Sequence, residues 1–127
     1  MNSFEIKSDF TEFEKFFMEE NSKLNLISKN DEKFLYAKHI YDSLSIKLFF
    51  DKNNFTNFKN ISLLDIGCGG GFPCVPIAIE FPELRVTGID SIKKKINSVN
   101  IIKEKLKLNL KLKKHNKIYF LNSGVIL

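Results

Sequence analysis

The residues best equipped for chemistry lie in one stretch, Leu63-Leu64-Asp65-Ile66-Gly67-Cys68-Gly69-Gly70-Gly71-Phe72-Pro73, followed later by Ile89-Asp90-Ser91. A short apolar run that ends in clustered glycines and then opens a helix lets a ligand come close to the backbone. It also leaves the unpaired N–H groups of a first helical turn beside that ligand. An acidic residue at the tip of the next strand suits a ribose, because a carboxylate can accept from both hydroxyls of a cis-diol. Asp90 stands 23 residues after Gly67, near the separation of about 20 expected for such a residue.

The kind of nucleotide is indicated by the residues around the glycines. A dinucleotide fingerprint, G-x-G-x-x-G/A, needs a small sixth residue, and Phe72 occupies that position. The glycines instead fall at 67, 69 and 71, and no Gly-Lys-Ser/Thr comes after them, which excludes a phosphate loop of the Walker type. Asp65, two residues before Gly67, would repel a pyrophosphate. It would favour a ligand carrying an ammonium and a sulfonium, as S-adenosyl-L-methionine does. The alternative reading is a plain tight turn between strand and helix, with Asp65 capping it.

These residues need a scaffold, and the pattern supplies one. Ile61 to Ile66 reads as a buried strand and Leu84 to Asp90 as a second. Between them Pro73 fits the first position of a helix that closes before Pro82. Ser91 reads as the cap of a longer helix through Ile96, Val99, Ile102 and Leu106. Alternating strands and helices imply a parallel sheet with right-handed crossovers. Ahead of it, Asp9 and Glu12 resemble a capping box for a helix with Ile6, Phe10, Phe13 and Phe17 on one stripe, and Glu12, Glu14, Glu19 and Glu20 on its wet side. That helix is expected to break at Asn21-Ser22. A second helical stretch starts at Asn30 or Asp31 and runs to an apolar end at Leu44 to Phe50, before a loop from Asp51 to Asn60. Further on, Leu108 to Leu112 alternates as a strand would, Lys117 to Leu121 is another candidate, and Val125 to Leu127 is a bare apolar end.

With 127 residues, 43% of them hydrophobic, the chain suits one domain with a real core and is not of disordered composition. No run approaches the roughly 18 apolar residues of a membrane span. The first ten residues carry Glu5 and Asp9 and lack the apolar core of a secretory signal. Cys68 and Cys74 are too few for a disulfide framework or a four-ligand zinc site, and both read as small buried residues. A cytoplasmic protein is expected. Charge is lopsided: residues 1–92 hold 10 basic and 14 acidic side chains, residues 93–127 hold 10 and 1. The basic part suits a polyanion. Since 19 of the 20 basic residues are lysine, a solvated face produced by codon bias explains the charge alone equally well.

Four segments taken together carry a family resemblance: Asn25-Leu26-Ile27-Ser28, His39-Ile40-Tyr41-Asp42-Ser43-Leu44, Asp65 through Pro73, and Asp90-Ser91-x-x-Lys94. From about residue 10 to 112 the chain resembles the glucose-inhibited division protein B family, bacterial methyltransferases of N7 of a guanine in 16S ribosomal RNA. The resemblance implies an α/β fold, in which an N-terminal helical extension over residues 1–58 precedes an incomplete class I (Rossmann-like) methyltransferase sheet over residues 59–127. It implies S-adenosyl-L-methionine as cofactor, contacted by Gly67 and Phe72. Asp65, Gly69 and Gly71 would shape its methionine end, and Asp90 with Ser91 would lie at its ribose. His39 and Asp42, one helical turn apart, would face the cofactor mouth as substrate-side residues, or else form a structural pair tying the extension to the sheet. Lys94 falls on a basic position of the family, where it would touch RNA phosphate or simply be a solvent lysine. The implied partner is 16S rRNA or a small-subunit assembly particle, met by a monomer and without a membrane. No catalytic side chain and no metal are expected.

The chain departs from the family after its third strand. The adenine-contacting acidic residue and a later Ser-Arg-Ala motif are not recognisable, and Lys113-Lys114-His115-Asn116-Lys117 stands where an Arg and acidic residues should come. This reads as a truncated chain, expected to be marginally stable and weakly active or inactive by itself. Two other functions therefore stand beside methylation: an inactive remnant, and a basic RNA- or ribosome-binding module without catalysis.

Overall fold

Two apolar runs bounded by turn residues become the central strands, because each is long enough only for a strand and both its faces must be covered. In the computed structural model, which describes residues 3–115 and 125–126, these are β1 (Ser62–Ile66) and β2 (Arg85–Asp90). They are joined in one parallel sheet by β3 (Leu110–Lys114) and β4 (Val125–Ile126), in the order β3-β2-β1-β4. The register sets Asp65 beside Gly88 and Ile66 beside Ile89, and across the next pair sets Asp90 beside Lys114. The expected strand over Leu108 to Leu112 is thus displaced two residues onward. The apolar end read as bare supplies β4, whose Val125 and Ile126 pair with Leu63 and Leu64. The candidate strand Lys117 to Leu121 lies outside the described residues.

Winding therefore runs outward through β2 and β3 and returns to the opposite side of β1 at β4. The carboxyl end of β1 is a switch point of this kind, where open α/β sheets leave a crevice for ligands. The helices between strands are α4 (Cys74–Glu80) and α5 (Lys93–Leu106). Ahead of β1 lie α1 (Thr11–Lys23), a 3-10 turn over Lys29–Phe34, a π-helical turn over Leu35–Ile40, α2 (Tyr41–Ser43) and α3 (Ile46–Lys52). One hydrophobic cluster joins this extension to the sheet: Phe13, Phe17 and Leu44 share it with Leu63, Ile77 and Val99, all at most 2% exposed. No helix among the described residues is long and apolar enough to cross a membrane.

Several local expectations are corrected. Helix α1 continues past Asn21-Ser22 to Lys23, and the buried Asn21 carboxamide organises the segment after the helix: its Oδ1 accepts from the N–H groups of Leu26 (2.8 Å) and Ile27 (2.9 Å). Asp9 does hold the start of α1, its Oδ1 accepting from the Thr11 N–H at 2.9 Å, but the cap position itself is Phe10. Glu20 is not on the wet side. It is 3% exposed, and its Oε1 accepts from the Ser98 hydroxyl of α5 at 2.9 Å. The second helical stretch begins one cap earlier than Asn30, at Ser28, whose hydroxyl accepts from the Asp31 N–H, and it breaks into several short pieces. Pro73 is the cap residue of α4 rather than its first helical residue. Ser91 does not cap α5; Ile92 holds that position, and its N–H is taken by Asp90.

Candidate functional site

The glycine turn leaves β1 with three residues in the left-handed region: Gly67 (φ 73°), Gly69 (φ 51°) and Gly71 (φ 95°). That backbone path explains the spacing of the glycines, since other L-residues visit it only at a cost. The turn is fastened to the end of β2, where the Ile89 carbonyl accepts from the N–H groups of Gly67 (2.8 Å) and Cys68 (2.9 Å). Around Gly67 and Gly69 there is open space, with no heavy atom within 4 Å of where a Cβ would stand. A ligand can therefore approach the backbone at those two residues. At Gly71 the reason for glycine is internal, because a Cβ would meet Val75 Cγ2 at 2.7 Å.

Asp90 is held from two sides. Its Oδ2 accepts from the Gly69 N–H at 2.8 Å and its Oδ1 from the Ile92 N–H at 2.9 Å. Each carboxylate oxygen has a further lone pair, so a fixed Asp90 can still accept from two hydroxyls. Ser91 comes next, exposed at the rim. Lys94 lies exposed in the first turn of α5, and no carboxylate among the described residues pairs with it.

Asp65 is 2% exposed, beneath the turn, where its Oδ2 accepts from the N–H of Cys74, the first residue of α4, at 3.1 Å. Burial pushes its carboxyl up to about 6, against the Cys74 hydrogen bonds and with a small addition from Asp90. It is still mostly ionised at neutral pH. So buried, it shapes the turn by holding the first N–H of α4. Beside it Cys68 and Cys74 are free and buried. Their sulfurs crowd position 88, where a Cβ would lie 3.1 Å and 3.0 Å from them. Contact with Cys68, burial and the charge of Asp65 push the Cys74 thiol well above its ordinary value, as befits an inert packed residue.

The extension grips the turn. Gly70 passes against Leu26 so closely that a Cβ would stand 3.1 Å from Leu26 Cβ and 3.2 Å from its carbonyl oxygen. Phe72, expected at the cofactor, turns its half-buried ring into the extension, with centroids 6.0 Å from Phe13, 5.3 Å from Phe17 and 5.1 Å from His39. His39 and Asp42 come together around a shallow depression of about 260 Å³, lined also by Lys38, Ser43, Phe72 and Pro73. The carboxylate nearest the His39 ring nitrogen is Asp31, with Oδ2 3.4 Å from Nε2, but no hydrogen bond is formed and Nε2 stays buried without a partner. The ammonium of Lys38, 3.3 Å away, holds Asp31 below the usual carboxylate range.

Sequence reasoning missed the Asp31–His39 approach, the Asn21 hydrogen bonds and a buried pair behind the site. In that pair Lys47 Nζ stands 2.6 Å from Glu80 Oε2, and the Glu80 carboxylate also accepts from the N–H groups of Lys7 and Ser8 at 2.8 Å. A helix-ending Asn a few residues before an apolar dipeptide was a usable signal for the Asn21 bonds. Nothing in the spacing of Lys47 and Glu80 announces their pairing.

A parallel sheet ordered β3-β2-β1-β4, with a glycine turn at the carboxyl end of β1 and a carboxylate at the carboxyl end of β2, defines a Rossmann-like, class I methyltransferase fold. A family model described as GidB, rRNA small subunit methyltransferase G, matches residues 6–118, and the chain belongs to this family. It is 40% identical, over 102 residues, to the ribosomal RNA small subunit methyltransferase G of Staphylococcus aureus strain JH9, and equally to that of strain NCTC 8325. Those alignments cover 80% of this chain and 41% of each relative, so the chain spans about two fifths of the length of the curated relatives it matches. Among solved structures it is similar to the plantazolicin methyltransferase BamL in complex with a triazolic desmethylPZN analog and SAH, at 27% identity and a TM-score of 0.46, over 81% of this chain and 39% of that one. It is also similar to coclaurine N-methyltransferase, at 20% identity and a TM-score of 0.46, over 57% of this chain and 22% of that one.

Proposed function

We propose that this chain is the cofactor-binding part of an enzyme that methylates N7 of a guanine in 16S ribosomal RNA from S-adenosyl-L-methionine. The observation that carries the reading is the tie between the Gly69 N–H and Asp90 Oδ2, with open backbone at Gly67 and Gly69 beside it. Asp90 would accept from the ribose hydroxyls, Gly67 and Gly69 would admit the ligand, and Gly71 and Asp65 would hold the shape of the turn. Ser91 would lie at the ribose side and Phe72 would brace the turn against the extension. His39 and Asp42 would face the substrate base, and Lys94 an RNA phosphate.

S-adenosyl-L-methionine, when bound, supplies a methyl group already activated on a sulfonium. Guanine N7 offers a lone pair and carries no proton, so the protein needs no general base. Its residues must hold the two reactants in line, an effect that can supply about 7–11 kcal/mol of rate acceleration. The exposed lysines 93, 94, 111, 113 and 114, unpaired among the described residues, support a partner rich in phosphate, namely 16S rRNA or a small-subunit particle in the cytoplasm.

Calorimetry on this chain tests the cofactor assignment. S-adenosyl-L-methionine should bind, NADH should not, and Asp90→Ala should weaken binding by roughly tenfold or more, as loss of charge-assisted hydrogen bonds does. Transfer of labelled methyl to unmodified small-subunit RNA tests the reaction. Heat with NADH and none with the sulfonium compound would overturn the reading; salt-dependent RNA binding indifferent to Asp90→Ala would favour a binding module without catalysis.

A further inference from the structure

We infer that Lys114, at the tip of β3, meets the base of the cofactor, and that its ammonium selects for a hydrogen-bond acceptor on the base rather than for the amino group of adenine. The inference rests on the S-adenosyl-L-methionine reading above and deepens it by assigning the base end of that site.

Residues opposite one another in a parallel sheet point to the same face, as do residues two apart along a strand. Three rows follow on the face that carries Asp65. Leu110 stands beside Val86 and Val86 beside Leu63, all three buried. One step toward the carboxyl end, Leu112 stands beside Gly88 and Gly88 beside Asp65. At the open end Lys114 stands beside Asp90, whose carbonyl accepts from the His115 N–H at 3.0 Å and so fixes the exit of β3. Lys111 and Lys113 alternate with these residues, belong to the opposite face, and remain available for phosphate.

A lysine beside a carboxylate would ordinarily pair with it. Lys114 does not, because both Asp90 oxygens are already held, Oδ2 by the Gly69 N–H at 2.8 Å and Oδ1 by the Ile92 N–H at 2.9 Å. Lys114 is exposed, and no carboxylate among the described residues pairs with it. The sequence after it holds no Asp or Glu. An uncompensated ammonium therefore belongs to the strand next to the ribose residue, one spacing of about 4.8 Å away.

The connectivity of the nucleoside decides what reaches it. With the ribose hydroxyls on Asp90, the base on C1′ and the sulfonium arm on C5′ leave the sugar on opposite sides. The glycine turn, on the β1 side of Asp90, takes the arm. The base then extends over the β3 side, where the strand order places Lys114. An ammonium has three donors and no acceptor. It can serve the ring nitrogens of adenine but leaves the amino group unpaired, whereas a 6-oxo base offers it an oxygen. A carboxylate at this tip would have the opposite preference.

The test is calorimetry with S-adenosyl-L-homocysteine and its deaminated analogue S-inosyl-L-homocysteine, on the wild-type chain and on Lys114→Met, Lys114→Glu and His115→Ala. The last is a control, because the neighbouring imidazole could accept from an amino group. Circular dichroism melts verify that each protein is folded. Wild type should bind the inosyl compound at least as tightly as the adenosyl one. Lys114→Glu should prefer the adenosyl compound by about tenfold or more, the scale of one charge-assisted hydrogen bond, and Lys114→Met should fall between. A tenfold adenosyl preference in wild type, or the same ratio in wild type and Lys114→Glu, overturns the role of Lys114 and leaves the cofactor reading intact. A ratio that moves in His115→Ala and in neither Lys114 variant overturns it in favour of the imidazole. A folded wild-type chain that binds neither compound overturns the inference together with the cofactor assignment.

Discussion

Leu26 lies directly over Gly70, with its Cβ 3.1 Å and its carbonyl oxygen 3.2 Å from where a side chain at that position would begin. Backbone thus rests on backbone where the extension meets the glycine turn. Gly70 does not have a positive φ, so its requirement for glycine is steric alone.

Gly70→Ala should therefore force the Asn25 to Ser28 strap away from the turn and lower stability by about 1–3 kcal/mol, as overpacking does. Gly67→Ala has free space but a φ of 73°, and should cost about 1–2 kcal/mol through the backbone instead. Urea unfolding followed by circular dichroism separates the two in a double-mutant cycle with Leu26→Gly, which removes the crowding Cβ and should couple to the first substitution only. Absence of coupling between Gly70→Ala and Leu26→Gly would count against the contact.

Asp65 and Glu80 bend the pH dependence of stability in opposite directions. The Asp65 carboxyl rises from 3.8 to about 6 on folding, so its contribution is fully present below 3.8 and is lost as pH rises through 6. At 1.36 kcal/mol per unit the loss amounts to about 3 kcal/mol. Wild type minus Asp65→Asn, compared by urea unfolding at pH 4 and pH 7, should show that decline. A flat difference would mean that the carboxyl is not buried as described.

Glu80 is penalised by burial, but the Lys47 ammonium and the N–H groups of Lys7 and Ser8 outweigh it and hold the carboxyl below its usual value. Its contribution is present above 4.5 and fades as pH falls. Lys47→Met leaves that carboxylate buried with a cation removed, and should destabilise the chain by about 3 kcal/mol at pH 7. Adding Glu80→Gln should recover part of the loss. If Lys47→Met melts like wild type, the pair has no energetic role.

The strands, the helices between them and the spacing of the glycines were legible in the sequence because each is set locally. Ile61 to Ile66 is an apolar run closed by glycine, and Gly67, Gly69 and Gly71 recur where the turn needs a positive φ. The same holds for Asp90, whose place is set by strand length. The features that were not legible depend on partners distant along the chain. Glu20 reads as solvated until Ser98 of α5 is placed against it. Ser28 and Ile92 became cap residues in place of Asn30, Asp31 and Ser91, because the Asn21 bonds and the Asp90 carboxylate settle where those helices begin. A two-residue strand such as Val125–Ile126 has no periodicity to detect, and only pairing with Leu63 and Leu64 defines it.

The ring of Phe72 between Phe13, Phe17 and His39 has a consequence for how the chain can be dissected. A fragment starting at the loop before β1 would carry the entire glycine motif and yet lose the wall against which its exit is braced. The motif is thus not a portable cassette. Swapping the extension between relatives would conserve the turn only where the grafted segment brings matching aromatics, so these two halves must vary in concert.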